Sequence, residues 1–407
     1  MTMKRLKVGV LFGGRSVEHE ISIISALQLM KAMDVKKYEP IPIYIDPKGQ
    51  WYCGSRLFHK DTYLNLSKYK DDLCEVTLLP KPPARGLTVL ARGDRFFQSN
   101  AHLKDHINRE NLIPIDVFIP AFHGEFGEDG CVQGLLELAD ATYTGCSMLP
   151  SSVAMDKAAC KALLKSHGIP VLPDVTVSKR AAQLNFNQVV QSIIDDESLG
   201  PFPYFIKPRH LGSSIGIGKA NNQEELAQRI AKVFFHDNQA IIEPCLNDMF
   251  EINVSVRSGM PPEASVIEVP HASEGELTFE DKYLRGGKKK GQPQQSEGME
   301  SLPRSINPES VPDSMKQAVI QFAIDAYEIL GADGIVRFDF MVDSTSNQIY
   351  FNELNPIPGS MAFYLWFESE PSVLYTNNIS RLIRDAQARH AEKLSLEKTI
   401  AFRALKA

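Results

Sequence analysis

The 407-residue sequence lacks several features, and each lack removes a class of function. No apolar run approaches the roughly 18 residues of a membrane span, so no membrane partner is expected. The six cysteines (Cys53, Cys74, Cys131, Cys146, Cys160 and Cys245) stand far apart with no C-x-x-C pair. That spacing supports neither a zinc site nor a disulfide framework, and a reducing cytoplasm is the simplest setting. Positive charge is not in excess. The net charge of −6 gives no reason to expect nucleic acid or an acidic membrane surface as a partner. The opening "MTMKRLKVGVLFGG" starts basic, but its apolar run is short and broken by glycines, as in a first β-strand rather than a signal peptide. There is no internal repeat and no low-complexity block. A Walker A loop is absent too, because Ala220 follows Gly218-Lys219 where Ser or Thr would be needed.

What remains is a globular composition, 43% hydrophobic and 23% charged, in a chain long enough for two or three domains. "KVGVLF" reads as a buried strand, "GGRSVEHEISIISALQLMKAM" as a helix and "YEPIPIYID" as a second strand. Such a β-α-β unit builds a parallel sheet with ligands at its strand C-terminal ends. "PIDVFIPAFHGEFGEDG" repeats the form, its helix being "CVQGLLELAD", and "ATYTGCS" is expected as a short strand. "SSVAMDKAACKALLKSHGIPVLP" is expected as one helix with a serine N-cap, a glycine stop and a proline beyond. A small α+β unit follows to about residue 245, with strands "FPYFIKP", "IGIGKA" and "AIIEPCL". Then come the alternating strands "FEINVSVRSG" and "EASVIEVP", a polar loop rich in Gly, Lys and Gln, the amphipathic helix "SMKQAVIQFAIDAYEILG" and the strand "GIVRFDFMVD".

The most informative stretch is "QIYFNELNPIPGSMAFYLWF", residues 348–367. On a strand, residues i and i+2 share a face. Glu353 and Asn355 therefore point one way, and in the neighbouring strand Arg337 and Asp339 do the same. Three oxygen donors on two strands suit Mg²⁺, which takes octahedral oxygen ligands at about 2.0–2.1 Å. A structural ion pair between Arg337 and an acid is the competing reading. Lys207 ends a strand beside a Gly/Ser loop whose N–H groups could cradle phosphate, although a plain hairpin would look the same. Lys157 stands at a helix N-terminus, where a cation is mildly unfavourable and an anionic ligand would account for it; a surface lysine is the local alternative. Glu18 lies in a first helical turn, stabilising the helix or gripping a substrate ammonium. His123 ends a strand in a Gly-rich loop, where α/β active sites lie.

Taken in order, "LFGGRSVEHEIS", "FHGEFGEDGCVQGLLEL", "YTGCSMLPSSVAMDK", "IKPRHLGSSIGI", "DKYL", "VRFDFM" and "NELNPIPG" resemble the D-alanine–D-alanine ligase family of ATP-grasp enzymes, over roughly residues 5 to 380. The resemblance implies an α/β ATP-grasp fold of three α/β domains: a Rossmann-like pre-ATP-grasp domain at 1–150, a central subdomain at 151–245, a C-terminal subdomain with the metal site at 246–381, and a helical tail at 382–407. It implies ATP between the second and third domains. ATP would phosphorylate the carboxylate of one D-amino acid, and the amine of a second would attack it. Lys157, Lys207 and Lys282 would bind ATP, Glu243 and Leu246 would contact its adenine, and Glu251 its ribose. Asp339, Glu353 and Asn355 would bind two Mg²⁺ ions (or Mn²⁺), with Glu353 bridging. Glu18 would orient the first ammonium in a network with Ser213 and Tyr283. Arg337 and the Gly359 N–H would stabilise the oxyanion, and His123 would line the substrate site. The lack of a Ser-His-Asp or Cys-His nucleophile is consistent, because ATP does the activating. A homodimer in the cytoplasm is implied as well.

One departure stands out. A serine that binds the second substrate's carboxylate is usual a few residues after the glycine, and here Tyr364 falls there, followed by Leu365. Tyr364 can still donate through its O–H but is far larger. This leaves open a ligase with another second substrate, an amino or hydroxy acid. A third expectation, a non-catalytic nucleotide-binding protein on the same fold, sits poorly with retention of Arg337 and all three oxygen ligands. The Lys-rich loop at 284–300 is expected to close over ATP as a lid.

Overall fold

A computed structural model describes residues 5–212, 215–271 and 303–397. Ser213, Lys282, Tyr283 and the expected lid at 284–300 lie outside these residues. Three sheets organise the rest. The first contains β1 (Leu6–Gly13), β2 (Tyr38–Ile45), β3 (Trp51–Cys53), β4 (Cys74–Thr77), β5 (Gly86–Arg92), β6 (Leu112–Pro114) and β7 (Val117–Pro120), in the order β6-β5-β4-β3-β2-β1-β7. The expected parallel unit is there: β1 pairs in parallel with both β2 and β7. Antiparallel β3 to β6 extend it into a mixed sheet. The run "ATYTGCS" makes only an isolated bridge, Tyr143 to Phe118.

β1 is apolar almost throughout because both faces of its sheet are covered, by the helix His19–Ala32 on one side and the helix Cys131–Leu138 on the other. Gly13 ends β1 at φ +88°, and a Cβ there would lie 2.2 Å from the Ile45 carbonyl oxygen. The turn into the first helix therefore requires glycine.

The central sheet comprises β8 (Val175–Ser178), β9 (Tyr204–Pro208), β10 (Gly218–Ala220) and β11 (Gln239–Pro244), ordered β10-β9-β11-β8. The third comprises β12 (Met249–Arg257), β13 (Glu263–Pro270), β14 (Arg304–Ile306), β15 (Ile335–Asp343) and β16 (Ile349–Asn355), ordered β14-β13-β12-β15-β16. One buried face of this last sheet packs under the long helix Asp313–Leu330 through Val319, Ala323 and Ala326. Its other face looks into a cleft. The helix Tyr375–Ser395 crosses the boundary expected at 381, and buries Ile379, Leu382, Ile383 and Ala386 in the same core as β1 and the first helix. The C-terminal segment is thus packed onto the N-terminal domain. Among the described residues no helix is long and apolar enough to cross a membrane.

The single helix expected from residue 151 is two helices, Met148–Met155 and Lys157–Ser166. Asp156 breaks them apart. Its backbone is extended (φ −89°, ψ 94°), and its carboxylate accepts the Ala159 N–H at 3.0 Å as an N-cap. The same carboxylate takes both ends of the Arg209 fork at 2.6 Å. The break makes Lys157 the first residue of a new helix and turns its side chain into the cleft.

Candidate active site

β15 and β16 place Arg337 opposite Asn355 and Asp339 opposite Glu353. The period-2 reading of both strands therefore converges on one patch of the cleft wall. Arg337 donates from Nε and from a terminal nitrogen to the two oxygens of Asp339, each at 2.7 Å, and the Asn355 amide donates to Asp339 at 3.0 Å. Both members of the ion pair are buried. Burial alone would lower the Arg337 pKa, but the Asp339 carboxylate beside it raises it well above the usual arginine value. A hard-oxygen set of two carboxylates and an amide fits a small divalent cation, with water and phosphate completing the shell. Among the described residues no group of three or more His, Cys, Asp or Glu side chains could hold a metal.

Beside the central sheet, Lys157 and Lys207 face the same strand pair. The Lys157 ammonium donates to the Leu211 carbonyl at 2.6 Å and lies 3.8 Å from the Glu353 carboxylate. Lys207 reaches Asn352 at 2.9 Å and Glu243 at 2.7 Å. Glu243 is fully committed. Lys161, also buried, donates to its other oxygen and lies 3.0 Å from Asp174. Burial would raise the Glu243 pKa, but Lys207 and Lys161 overcome it and hold the carboxyl down at about 2. Leu246, Glu251, Phe205, Leu172 and Met341 line the pocket next to this cluster. It is the apolar slot of the cleft, as a flat heterocycle requires.

On the opposite side, Glu18 sits one residue before the first helix, buried, against the Gly-rich loop that follows β7. Gly124 has φ +78°, and a Cβ there would fall 2.8 Å from a Glu18 carboxylate oxygen, so glycine permits the close approach. His123 is buried. Its Nε2 is 2.8 Å from the Ser25 hydroxyl, and burial pulls the imidazole down to about 4. Glu128 accepts the N–H groups of Gly124 at 2.6 Å and Ile357 at 3.2 Å. Burial first, then the nearby Glu18 carboxylate, raise its pKa well above the carboxylate range.

Gly359 opens a turn in which Ser360, Met361 and Ala362 all take left-handed backbone conformations, φ +50°, +54° and +49°. Non-glycine residues pay roughly 1–2 kcal/mol each for this, so something must hold the turn. The first helix does so. The Ser360 N–H approaches the Ser25 hydroxyl at 3.4 Å, and the Ser360 hydroxyl donates to Gln28. Tyr364 and Leu365, expected at the second substrate, do not line the cavity that contains Gly359 and Arg337. Tyr364 donates its O–H to Glu268 at 2.9 Å, and Leu365 is wholly buried against Ala362, Phe363 and Ile306.

The cleft thus gathers Glu18, His123, Lys157, Glu251, Arg337, Asp339, Glu353, Asn355 and Gly359 around one cavity, with Lys207, Glu243 and Leu246 in the adjoining slot. Four further polar residues were not legible as site residues. Lys161 had a signal, four residues after Lys157 on one helix. Glu128 was the second acid of a loop read only for its histidine. Glu268 and Arg304 carried none, since they meet only through the pairing of β13 with β14.

Three α/β units closing on one cleft, with lysines on one wall and a carboxylate-bearing strand pair on the other, define the ATP-grasp class. The D-ala D-ala ligase N-terminus model matches residues 7–146, and the D-ala D-ala ligase C-terminus model matches residues 163–384. The D-alanine–D-alanine ligase of Caldicellulosiruptor bescii is 34% identical over 406 residues, covering 97% of this chain and 99% of that protein. That of Chlorobium chlorochromatii is 33% identical over 383 residues, covering 94% and 98%. Among solved structures, the D-alanine–D-alanine ligase from Coxiella burnetii superposes with a TM-score of 0.73 at 26% identity, covering 96% of each chain. The VanG D-Ala:D-Ser ligase from Enterococcus faecalis gives 0.71 at 26%, covering 94% of this chain and 100% of that one. The chain belongs to the D-ala D-ala ligase family.

Proposed function

We propose that the protein joins two D-alanines at the expense of ATP, making D-alanyl-D-alanine for peptidoglycan. The observation that carries this is the cross-strand quartet Arg337, Asp339, Glu353 and Asn355, facing the same cleft as Lys157 and Lys207. Lys157 and Lys207 hold the nucleotide's phosphates, Glu251 its ribose, and Leu246 with the backbone around Glu243 its base. Asp339, Glu353 and Asn355 are the residues that would hold Mg²⁺, which neutralises phosphate charge when bound. The remaining task is positioning, as in phosphoryl transfer generally. Glu18 anchors the ammonium of the first D-alanine, with neutral His123 beside it. Arg337 and the Gly359 N–H receive the charge that develops on the carbonyl oxygen when the second amine attacks the phosphorylated carboxylate, donors typically worth several kcal/mol.

Mg²⁺-dependent phosphate release with D-alanine as sole amino acid tests the reading, with the product identified by mass. A dipeptide of D-alanine is expected. ATP binding with no phosphate release for any amino acid would instead mark a binding protein on this fold. The position of Tyr364, away from the cavity wall, favours a second reading in which the acceptor is another amino acid; D-serine is the acceptor named for the Enterococcus faecalis relative. Adding D-serine to D-alanine and weighing the mixed product separates the two.

A further inference from the structure

Arg209 and His210 stand between β9, which carries Lys207, and the loop residues Leu211 and Gly212. Neither is among the residues lining the cleft, yet both are firmly engaged. The Arg209 guanidinium donates from Nε and from one terminal nitrogen to the two oxygens of Asp156, each at 2.6 Å. Its other terminal nitrogen donates to the Gln239 side chain at 2.6 Å, and its backbone N–H to the Gln239 carbonyl at 3.2 Å. His210 is held beside it. Its backbone N–H donates to Asp237 at 2.7 Å, and its ring Nδ1 lies 3.1 Å from the same carboxylate. Both residues are thus pinned at the start of β11.

What they hold in turn is the first turn of the helix Lys157–Ser166. Asp156 is its N-cap, so the arginine fork grips the residue immediately before Lys157. The Lys157 N–H donates to the Arg209 carbonyl at 3.1 Å, and the Lys157 ammonium to the Leu211 carbonyl at 2.6 Å. Asp156 and Arg209 are each 23% exposed. Burial works against the Asp156 carboxylate, but the fork overcomes it and holds the group below the usual carboxylate range. An ion pair at this depth adds little to overall stability. Its bidentate geometry instead fixes the two elements it joins. That matters because Lys157 and Lys207 come from different elements, a helix and a strand, and no local pattern sets the distance between them.

Resting on the proposed ligase function, we infer that the Asp156–Arg209 clamp places Lys157 relative to Lys207 for a nucleotide's phosphates. Asp156 and Arg209 are positioning residues that act through Lys157. Without the fork the helix keeps its cap, but its first turn is released from the end of β9. The fraction of chains with Lys157 in place then falls, and the apparent affinity for the phosphates falls in proportion. The adenosine end of the nucleotide, seated by Leu246 and Glu251, keeps its contacts.

The test measures equilibrium binding of ATP and of adenosine, which lacks the phosphates, in the presence of Mg²⁺. Wild type is compared with Arg209→Met, Asp156→Asn, Lys157→Met and Arg209→Met combined with Lys157→Met. Lys157→Met should weaken ATP about 10- to 100-fold, the range for a hydrogen bond to a charged group. Arg209→Met should weaken ATP about 10-fold and leave adenosine within about 2-fold, with the thermal midpoint little changed. In the Lys157→Met background, Arg209→Met should add less than about 2-fold, because two changes acting through one group are not additive. Unchanged ATP binding in Arg209→Met would overturn the inference. So would an equal loss for adenosine, which marks a general disturbance of the domain, or a full further loss in the combined variant. If Arg209→Met does not fold, Asp156→Asn decides. It keeps an N-cap acceptor for Ala159 and removes the charge that the fork takes, so selective loss of ATP binding supports the clamp and none removes it. Wild type that binds adenosine as tightly as ATP would count against the phosphate-holding role of the lysines in the proposed function, a result distinct from all of these.

Discussion

The strand pair β15–β16 and the turn after it are only four residues apart, at Asn355 and Gly359, yet they build their halves of the cleft by opposite means. The strand pair works by local repetition. Alternation fixes which side chains face the cleft, and the register brings Arg337 to Asn355 and Asp339 to Glu353. The turn has no such rule. Three consecutive left-handed residues run against local preference and are held by Ser25 and Gln28 from the far end of the sequence. Polar groups that a strand displays can be read in the sequence. A backbone N–H aimed by a turn depends on contacts that no local pattern encodes.

The largest effect should come from the strand pair. Glu353→Gln should lower Mg²⁺-dependent phosphate release by about 10³-fold, with the thermal midpoint little changed and nucleotide binding retained. A small loss would mean that the face is structural. Arg337→Met should cost about 10²–10³ in kcat. Unlike Glu353→Gln it should also destabilise the fold, since it removes the guanidinium that both Asp339 oxygens accept from in a buried setting. Urea unfolding of the two variants, side by side, separates chemistry from packing on one face.

Lys161→Met should cost about 3 kcal/mol in urea, the low end for breaking a buried pair, because Lys207 still serves Glu243. The pH dependence has a definite sign. Glu243 titrates at about 2 when folded against 4.5 as an ordinary glutamate. Its stabilisation is therefore present above pH 4.5 and is lost as pH falls from 4.5 toward 2. In Lys161→Met that acid limb should be smaller and end at a higher pH, because the folded value moves back toward 4.5 while the unfolded one stays. His123 supplies a second limb. Folded, it titrates at about 4 against 6.5, so the fold should lose stability as pH drops from 6.5 toward 4, where the unfolded chain binds a proton that the buried ring refuses. The difference between wild type and His123→Gln isolates this term from the neighbouring carboxyls, and an identical pH profile for the two would contradict it.

The smallest effect sharpens the contrast from the turn side. Ala362→Gly removes one buried methyl group but relieves one left-handed residue, about 0.8 and 1 kcal/mol in opposite directions. Stability should therefore move by less than about 0.5 kcal/mol, a shift that calorimetry can bound.

Legibility in the sequence followed the same division. The parallel β1–β2 unit, the strand faces and the longer helices such as His19–Ala32 and Asp313–Leu330 followed from periodicity, and the family resemblance supplied their order. The stretch around Asp156 was read as one helix because an apolar pattern continues on both sides of it, even though Lys157 was also placed at a helix start. Its capping of Ala159 and its grip on Arg209 53 residues away are tertiary facts. β3, β4 and β6 are short, and their alternation is too brief to stand out. Counting along the turn put Tyr364 at the second substrate; in the structure its hydroxyl donates to Glu268. Only the pairing of β12 with β13 and of β13 with β14, which brings Asn253, Glu268 and Arg304 together, reveals where it goes.

The clasp on Ser360 also bears on how the protein is made. Ser25 and Gln28 stand 335 and 332 positions from their partner. The ribosome must synthesise everything between them before that clasp can form. The strand pair needs only its own neighbourhood, so a chain that has lost its first domain would retain the β15–β16 face and no formed turn. Contacts of such long separation form late, after loop closure has been overcome. Catalytic competence should therefore be the last property to appear during refolding, trailing the recovery of β-sheet signal, and the first to disappear when a protease nicks the chain between its ends.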